Sequence, residues 1–120
     1  MTVKTNELEG VMLDYAVAKC ELMLGQDYTL AIDTDFDGTK RVNFGGMYPE
    51  WSTDWQEAGP IIEREKMRIA YNFDEHIWEA GWDCHVKGWG DTPLIAAMRC
   101  YVVDQLGDEI QFLKNEEEVK

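Results

Sequence analysis

Two short segments carry the residue types best suited to recognising a ligand. Residues 51–55 read Trp-Ser-Thr-Asp-Trp, and residues 59–65 follow with Gly-Pro-Ile-Ile-Glu-Arg-Glu. Residues 90–99 read Gly-Asp-Thr-Pro-Leu-Ile-Ala-Ala-Met-Arg. Each segment combines hydroxyl or carboxylate groups at a predicted helix start with an arginine near apolar residues. The residue types favour binding over turnover, because no nucleophile can be paired with a base and an orienting group. We therefore predict no catalytic residue and no cofactor.

The predicted helix start at Thr92 and Pro93 is suited to an anionic group, because helix N-termini present free amides and the positive end of the dipole. Arg99 lies seven residues after Thr92, on almost the same face, and helical side chains lean toward the N-terminus. Thr92 and Arg99 are therefore predicted to flank one anionic group. The alternative is that Arg99 pairs internally with Glu63 or Glu65, since buried charges are normally paired.

Five tryptophans are more than the core of so small a domain needs, so we expect some of them to line a cleft. An aromatic face stacks on a base with about 1–3 kcal/mol, and Trp51 or Trp55 is the predicted stacking residue. The sequence thus predicts a cleft for a nucleotide-derived small molecule. The predicted ligand-binding residues are Trp51, Ser52, Thr53, Asp54, Trp55, Gly59, Pro60, Glu63, Arg64, Thr92, Pro93 and Arg99.

The net charge of −13 repels a phosphate backbone, which makes nucleic acid an improbable partner. The same charge supports an alternative function, in which the protein mimics a polyanion or inhibits a basic host protein. Three cysteines without close pairing are typical of reduced thiols in a cytoplasm. The sequence contains no apolar run of the signal-peptide or transmembrane type, so we expect a cytoplasmic protein without a membrane partner. Homo-oligomer formation stays open.

The hydrophobic patterns predict an α+β fold, with α/β as the alternative, in one domain over residues 1–115 and a frayed acidic tail over 116–120. The strongest helix is predicted over about 92–106, between the start signal at Thr92-Pro93 and the stop signal at Gly107. Its interior is apolar on nearly every face, which predicts a central position. An N-terminal helix is predicted over about 7–20, with Asn6 and Glu9 as a capping box.

Alternating apolar residues predict a small, mainly antiparallel sheet packed on the central helix. The predicted strands cover residues 28–32, 41–44, 66–71 and 77–86, with an edge strand at 108–112. The Asp-Gly pair at 37–38 predicts a hairpin turn between the first two strands. Ser52 is predicted to cap a short helical turn that Gly59 and Pro60 end.

Two patterns suggest metal ligands, and neither is complete. Residues 33–38 (Asp-Thr-Asp-Phe-Asp-Gly) match the first half of an EF-hand loop, but Phe44 stands where the bidentate glutamate is needed. We expect a turn of solvated acids there, with weak calcium binding by Asp33, Asp35 and Asp37 left open. His76 and the Cys-His pair at 84–85 lack the spacing of a zinc site. No metal site is predicted.

At its two central segments the chain resembles the NinX-type phage proteins. The similarity rests on residues 52–55, 59–65 and 92–102, and extends to residues 13–19 and 107–109. The family consists of small accessory proteins encoded by phages or prophages, and their function is unknown. The resemblance therefore implies an infected bacterial cell as the setting, where such proteins commonly counter host defences. Sequestering a signalling nucleotide and blocking a host protein both fit that setting.

Overall fold

The computed structural model describes residues 2–112, and the predicted acidic tail at 116–120 lies outside them. Three α-helices, one short 3-10 helix and seven strands form this part of the chain, which confirms the predicted α+β class. In chain order these elements are β1 (Thr2–Lys4), the 3-10 helix (Thr5–Glu7), α1 (Gly10–Met23), β2 (Leu30–Thr34), β3 (Lys40–Phe44), α2 (Trp55–Glu65), β4 (Arg68–Asn72), β5 (Ile77–Trp82), β6 (His85–Gly90), α3 (Pro93–Leu106) and β7 (Glu109–Gln111).

Helix α3 is the central helix, as predicted. The side-chain oxygen of Thr92 accepts a hydrogen bond from the Ile95 N–H at 3.1 Å, and Pro93 occupies the first helical position. Gly107, with a φ of 97°, ends the helix. One side of α3 packs on β4, β5 and β6, while α1 and α2 also contact it. Half of its residues are buried: Leu94, Ala96, Ala97, Met98, Cys100, Tyr101 and Val102.

The strands are antiparallel, as predicted, but they form three separate sheets rather than one. The pairs are β2 with β3 and β1 with β7, while β4, β5 and β6 form a three-stranded meander. The prediction of one strand over 77–86 is wrong, because the chain turns back after Trp82. Asp83 adopts a left-handed conformation with a φ of 50° in that turn. Gly88 lets β6 approach α3 closely, since a Cβ there would overlap the carbonyl oxygen of Ala96.

Helix α1 begins at Gly10, so the capping box predicted at Asn6 is wrong. The Asn6 side chain instead forms hydrogen bonds with the backbone of β6. Its Nδ2 donates to the carbonyl of Lys87 at 3.1 Å, and its Oδ1 accepts from the N–H of Trp89 at 3.0 Å. This long-range pairing satisfies backbone groups of an edge strand, and it removes Asn6 from any role in starting the helix.

Helix α2 runs through Gly59 and Pro60, so the prediction that these residues end a short turn is wrong. Asp54, rather than Ser52, is the N-cap, and its Oδ1 accepts from the Gln56 N–H at 2.9 Å. A residue before proline normally avoids the helical conformation because its Cβ meets the proline ring. Glycine at position 59 has no Cβ, which lets the helix continue to Glu65.

The β2–β3 hairpin confirms the turn predicted at Asp37-Gly38 and separates the three acids of the calcium-like sequence. Asp33 accepts hydrogen bonds from Asn43 and Tyr48, which lower the pKa of its carboxyl group. Asp35 pairs with Arg41 at 3.0 Å, and Asp37 accepts from the Thr39 N–H. Among residues 2–112, no group of three or more metal-ligating side chains is placed to hold an ion.

Candidate functional site

The two predicted binding segments meet at one surface groove of about 250 Å³. We call it the two-helix groove, because α2 and α3 both start beside it. Trp55 is the first residue of α2 and Pro93 the first of α3. The groove is lined by Ser52, Thr53, Trp55, Thr92, Pro93, Leu94 and Ile95. The convergence of residues 52–55 with residues 92–95 joins segments that are about forty positions apart in the chain.

The two-helix groove has an aromatic wall and lies beside the starts of two helices. The indole of Trp55 is 55% exposed, so much of its face is open to a ligand. Each helix presents the positive end of its dipole at the start that borders the groove. Asp54 and Thr92 already satisfy one amide of each helix, those of Gln56 and Ile95. The remaining lining is mostly apolar.

A buried carboxylate holds the floor of the groove in place. Asp14 of α1 accepts a hydrogen bond from the Ser52 N–H at 2.8 Å, and both residues are almost fully buried. Burial raises the pKa of Asp14 from 3.8 to about 6, against the opposing effect of the Ser52 hydrogen bonds. The contact ties the segment before α2 to α1, and so positions Ser52 and Thr53.

A second and larger cleft of about 340 Å³ lies on the other side of the start of α2. We call it the aromatic cleft. It is lined by Glu21, Gln26, Tyr28, Phe44, Met47, Pro49, Trp51, Gln56, Glu57, Pro60, Ile61 and Arg64. Three of its rings contact edge to face, with centroids 5.1 Å apart for Tyr28 and Phe44 and 5.8 Å apart for Phe44 and Trp51.

Arg64 borders the aromatic cleft but is engaged by carboxylates. Its Nη atoms donate to Glu21 at 3.3 and 3.0 Å, and its Nε donates to Glu65 at 2.8 Å. Tyr101 completes the network, because its hydroxyl accepts from Arg64 and donates to Glu21 at 2.6 Å. The Glu21 hydrogen bond raises the pKa of Arg64, whereas burial is the main cause that raises the pKa of Tyr101. Arg64 thus has its charge compensated within the fold.

Arg99 lies outside both clefts and serves a structural purpose. Its Nε donates to the carbonyl of Leu8 at 2.8 Å, and its Nη1 donates to the carbonyl of Trp89 at 2.7 Å. Burial lowers the pKa of the guanidinium. The predicted internal pairing with Glu63 or Glu65 is wrong, since the acceptors are backbone oxygens of the N-terminal segment and of β6.

The structure therefore divides the predicted ligand-binding residues between several places. Five line the two-helix groove: Ser52, Thr53, Trp55, Thr92 and Pro93. Three line the aromatic cleft: Trp51, Pro60 and Arg64. Asp54 caps α2, Gly59 precedes Pro60 within it, and Glu63 is exposed on it.

Several residues of the two clefts belong to no motif and are not among the predicted site residues. Tyr28 and Met47 lie in loops beside the β2–β3 hairpin, and Gln56 stands in the first turn of a helix that was predicted too short. Tyr28 belongs to the predicted strand at 28–32 but precedes β2 in the structure, and its aromatic ring is the only feature that could have indicated a cleft. Leu94 was assigned to the core, where most of its surface does lie.

The cysteines and histidines add no further cluster. Cys20 and Cys100 are fully buried core residues, and burial raises the pKa of each thiol to about 12. Cys84 is exposed, and its Sγ lies 3.8 Å from Nδ1 of His85.

None of the helices in residues 2–112 has the length and apolar character needed to cross a membrane.

The fold and surface define a small acidic α+β protein with two adjoining clefts at the start of one helix. A family model described as Bacteriophage P22, NinX matches residues 4–105. The chain belongs to this family of phage proteins, which confirms the resemblance found in the sequence. No curated protein matches the chain.

Proposed function

We propose that this phage protein is an accessory protein that binds and sequesters a nucleotide-derived small molecule in the two-helix groove. The observation that carries the proposal is the exposed indole of Trp55 beside the starts of α2 and α3. A base or similar ring would stack on Trp55, and the anionic part would lie toward the helix amides. The place of action would be the cytoplasm of the infected host cell.

The lining of this groove carries no carboxylate that would oppose an anionic ligand. None of its seven lining residues is acidic, although Asp54 and Asp91 stand next to it in the chain. The volume of about 250 Å³ lies just below the usual range of roughly 300–1,000 Å³ for small-molecule sites. The groove therefore suits a ring with one anionic group, and a larger ligand would extend beyond it.

The lining also favours sequestration over turnover. Its polar side chains are the hydroxyls of Ser52, Thr53 and Thr92. Ser52 is buried and forms hydrogen bonds with Asp14, and the Thr92 hydroxyl oxygen accepts a hydrogen bond from the Ile95 N–H. These two hydroxyl groups are therefore already engaged within the fold. No histidine, cysteine or lysine lines the groove to act as a base or nucleophile.

A thermal-shift screen against nucleotides, cyclic nucleotides and ADP-ribose derivatives would test the proposal. A ligand present at 100 times its dissociation constant adds about 2.7 kcal/mol to stability, which raises the melting temperature by several degrees. With the ligand so found, Trp55→Ala should weaken binding about 5- to 150-fold, because one stacking contact is lost. The melting temperature of the free variant should change little, since Trp55 is largely exposed.

Trp89→Ala is the matched control. Trp89 is 37% exposed and lines neither cleft, so its removal should leave the affinity unchanged. If no nucleotide shifts the melting temperature, or if both variants bind with wild-type affinity, the groove is not the nucleotide site.

A second candidate function rests on the net charge of −13. An acidic inhibitor would use this field against a basic host protein, and its association rate should fall steeply as salt rises. Salt weakens such association because exposed charges are largely screened beyond about 8 Å at physiological ionic strength. Binding of a small ligand in the groove should depend much less on the salt concentration. Association rates measured between about 50 and 500 mM salt would separate the two functions. Salt-insensitive binding to a basic host protein would argue against charge mimicry.

A further inference from the structure

We propose that the aromatic cleft binds one organic cation, a guanidinium or alkylammonium group. The inference is independent of the nucleotide proposal, because it concerns the opposite side of α2. It rests on three features of the cleft: an accessible ring, an excess of carboxylates over cations in the lining, and apolar surface for an alkyl stem.

The accessible ring belongs to Tyr28, which is 45% exposed. Phe44 and Trp51 are each only 5% exposed, and they hold the Tyr28 ring through a chain of edge-to-face contacts. Because Phe44 contacts the Tyr28 ring edge to face, part of the Tyr28 ring stays accessible from the cleft that it lines. A cation over the face of such a ring is attracted by the ring quadrupole.

The electrostatics of the cleft select against anions. Arg64, its only basic lining residue, is held by Glu21 and Glu65, so its charge is already compensated. Glu57 adds a further exposed carboxylate to the lining. Two carboxylates, those of Glu21 and Glu57, thus line the cleft with one guanidinium, and Glu65 compensates Arg64 from outside the lining. The net charge of −13 on the whole chain adds to the negative potential.

The floor and rim of the cleft match the rest of a basic side chain or diamine. Met47, Pro49 and Ile61 provide apolar surface for an alkyl stem. Gln26 and Gln56 line the same cleft, and an amide oxygen of either side chain can accept hydrogen bonds from guanidinium N–H groups. At about 340 Å³, the cleft has the volume of a small-molecule site.

Two matched ligand pairs test the charge requirement by NMR titration of the intact protein. Butylguanidine is compared with butylurea, which has nearly the same shape without the charge. The peptide acetyl-Gly-Arg-Gly-amide is compared with its citrulline analogue. We expect only the cationic member of each pair to bind and to shift the Tyr28 and Trp51 signals. Binding of butylguanidine indicates a free small cation, and binding of the arginine peptide alone indicates a side chain presented by a protein.

Two variants locate the site. Glu57→Gln and Tyr28→Leu should each weaken binding of the cationic probe by about two- to fivefold. Glu75→Gln changes the net charge equally at a turn remote in sequence from the cleft, and Tyr48→Leu removes an exposed tyrosine that does not line it. Both controls should bind as the wild type does. Absence of binding, equal binding of the neutral probes, or equal effects of variants and controls would overturn the proposal.

Discussion

Replacing Arg99 with alanine is expected to lower the free energy of unfolding by about 2–4 kcal/mol. The guanidinium donates to the carbonyls of Leu8 and Trp89, at 2.8 and 2.7 Å. Hydrogen bonds to charged groups contribute about 1.5–3 kcal/mol each, and the partly exposed setting reduces their sum. Arg99→Lys should restore only part of the loss, because an ammonium group lacks the planar fork that reaches both oxygens. Urea unfolding of the three proteins measures the effect.

Arg68→Ala is a suitable control for the loss of an arginine. Its guanidinium makes one exposed contact of 3.4 Å with the carbonyl of Asp83, so the cost should stay within about 0.5 kcal/mol. If Arg99→Ala kept full stability but lost affinity for the nucleotide found in the screen, Arg99 would belong to the binding site, as the sequence analysis predicted.

The sequence could predict elements whose start and stop signals are local. Thr92 and Gly107 directly flank α3, and Pro93 is its first residue. The Asp-Gly pair at 37–38 lies in the turn between β2 and β3. Helix α2 could not be bounded in the same way. The local rule against a helix through Pro60 was outweighed by the Asp54 cap, the glycine at position 59 and the burial of Ala58 and Ile61.

Partners of charged side chains were harder to predict than the elements that carry them. Arg64 and Glu21 are 43 positions apart, and Arg99 and Leu8 are 91 positions apart. Such pairings depend on how helices and strands cross in three dimensions, which no local pattern describes. The sequence could indicate that residues 52–55 and 92–95 form one site, because both segments carry helix start signals. It could not indicate the aromatic cleft, because the residues that line that cleft share no motif.

The two clefts differ in charge although they share the first turn of α2. Trp55 faces the two-helix groove, whereas Gln56 and Glu57 line the aromatic cleft. Under the two proposals, the helix starts would favour an anion in the first cleft, and Glu21 and Glu57 would favour a cation in the second. Trp55 lines only the two-helix groove and Glu57 lines only the aromatic cleft, so a variant in one cleft tests one proposal without changing the lining of the other.

Replacing Asp14 with asparagine is expected to raise the free energy of unfolding by about 2–3 kcal/mol at pH 7.5. Burial raises the pKa of Asp14 to about 6 in the folded protein, compared with the ordinary value of 3.8. The folded state therefore binds the proton more tightly than the unfolded state does. Each unit of difference between the folded and unfolded pKa values corresponds to about 1.4 kcal/mol of unfolding free energy.

The sign of the effect is set by this raised pKa. The stability contributed by protonated Asp14 is complete below about pH 3.8, and it is lost as the pH rises through about 6. Asparagine keeps an oxygen to accept the Ser52 N–H and carries no charge. The variant should therefore match the wild type near pH 3.5 and exceed it increasingly as the pH rises from about 3.8 to about 6, and the difference should then level off.

Thermal unfolding of wild type and variant between pH 3.5 and 8 measures the difference directly. Asp27→Asn, at an exposed position, removes one carboxylate from the same acidic chain and should shift the curve little. A variant less stable than the wild type at pH 7.5 would mean that ionised Asp14 stabilises the fold through Ser52 more than its burial costs. In that case the segment leading into the two-helix groove would depend on the charge of Asp14, and not only on its hydrogen bond.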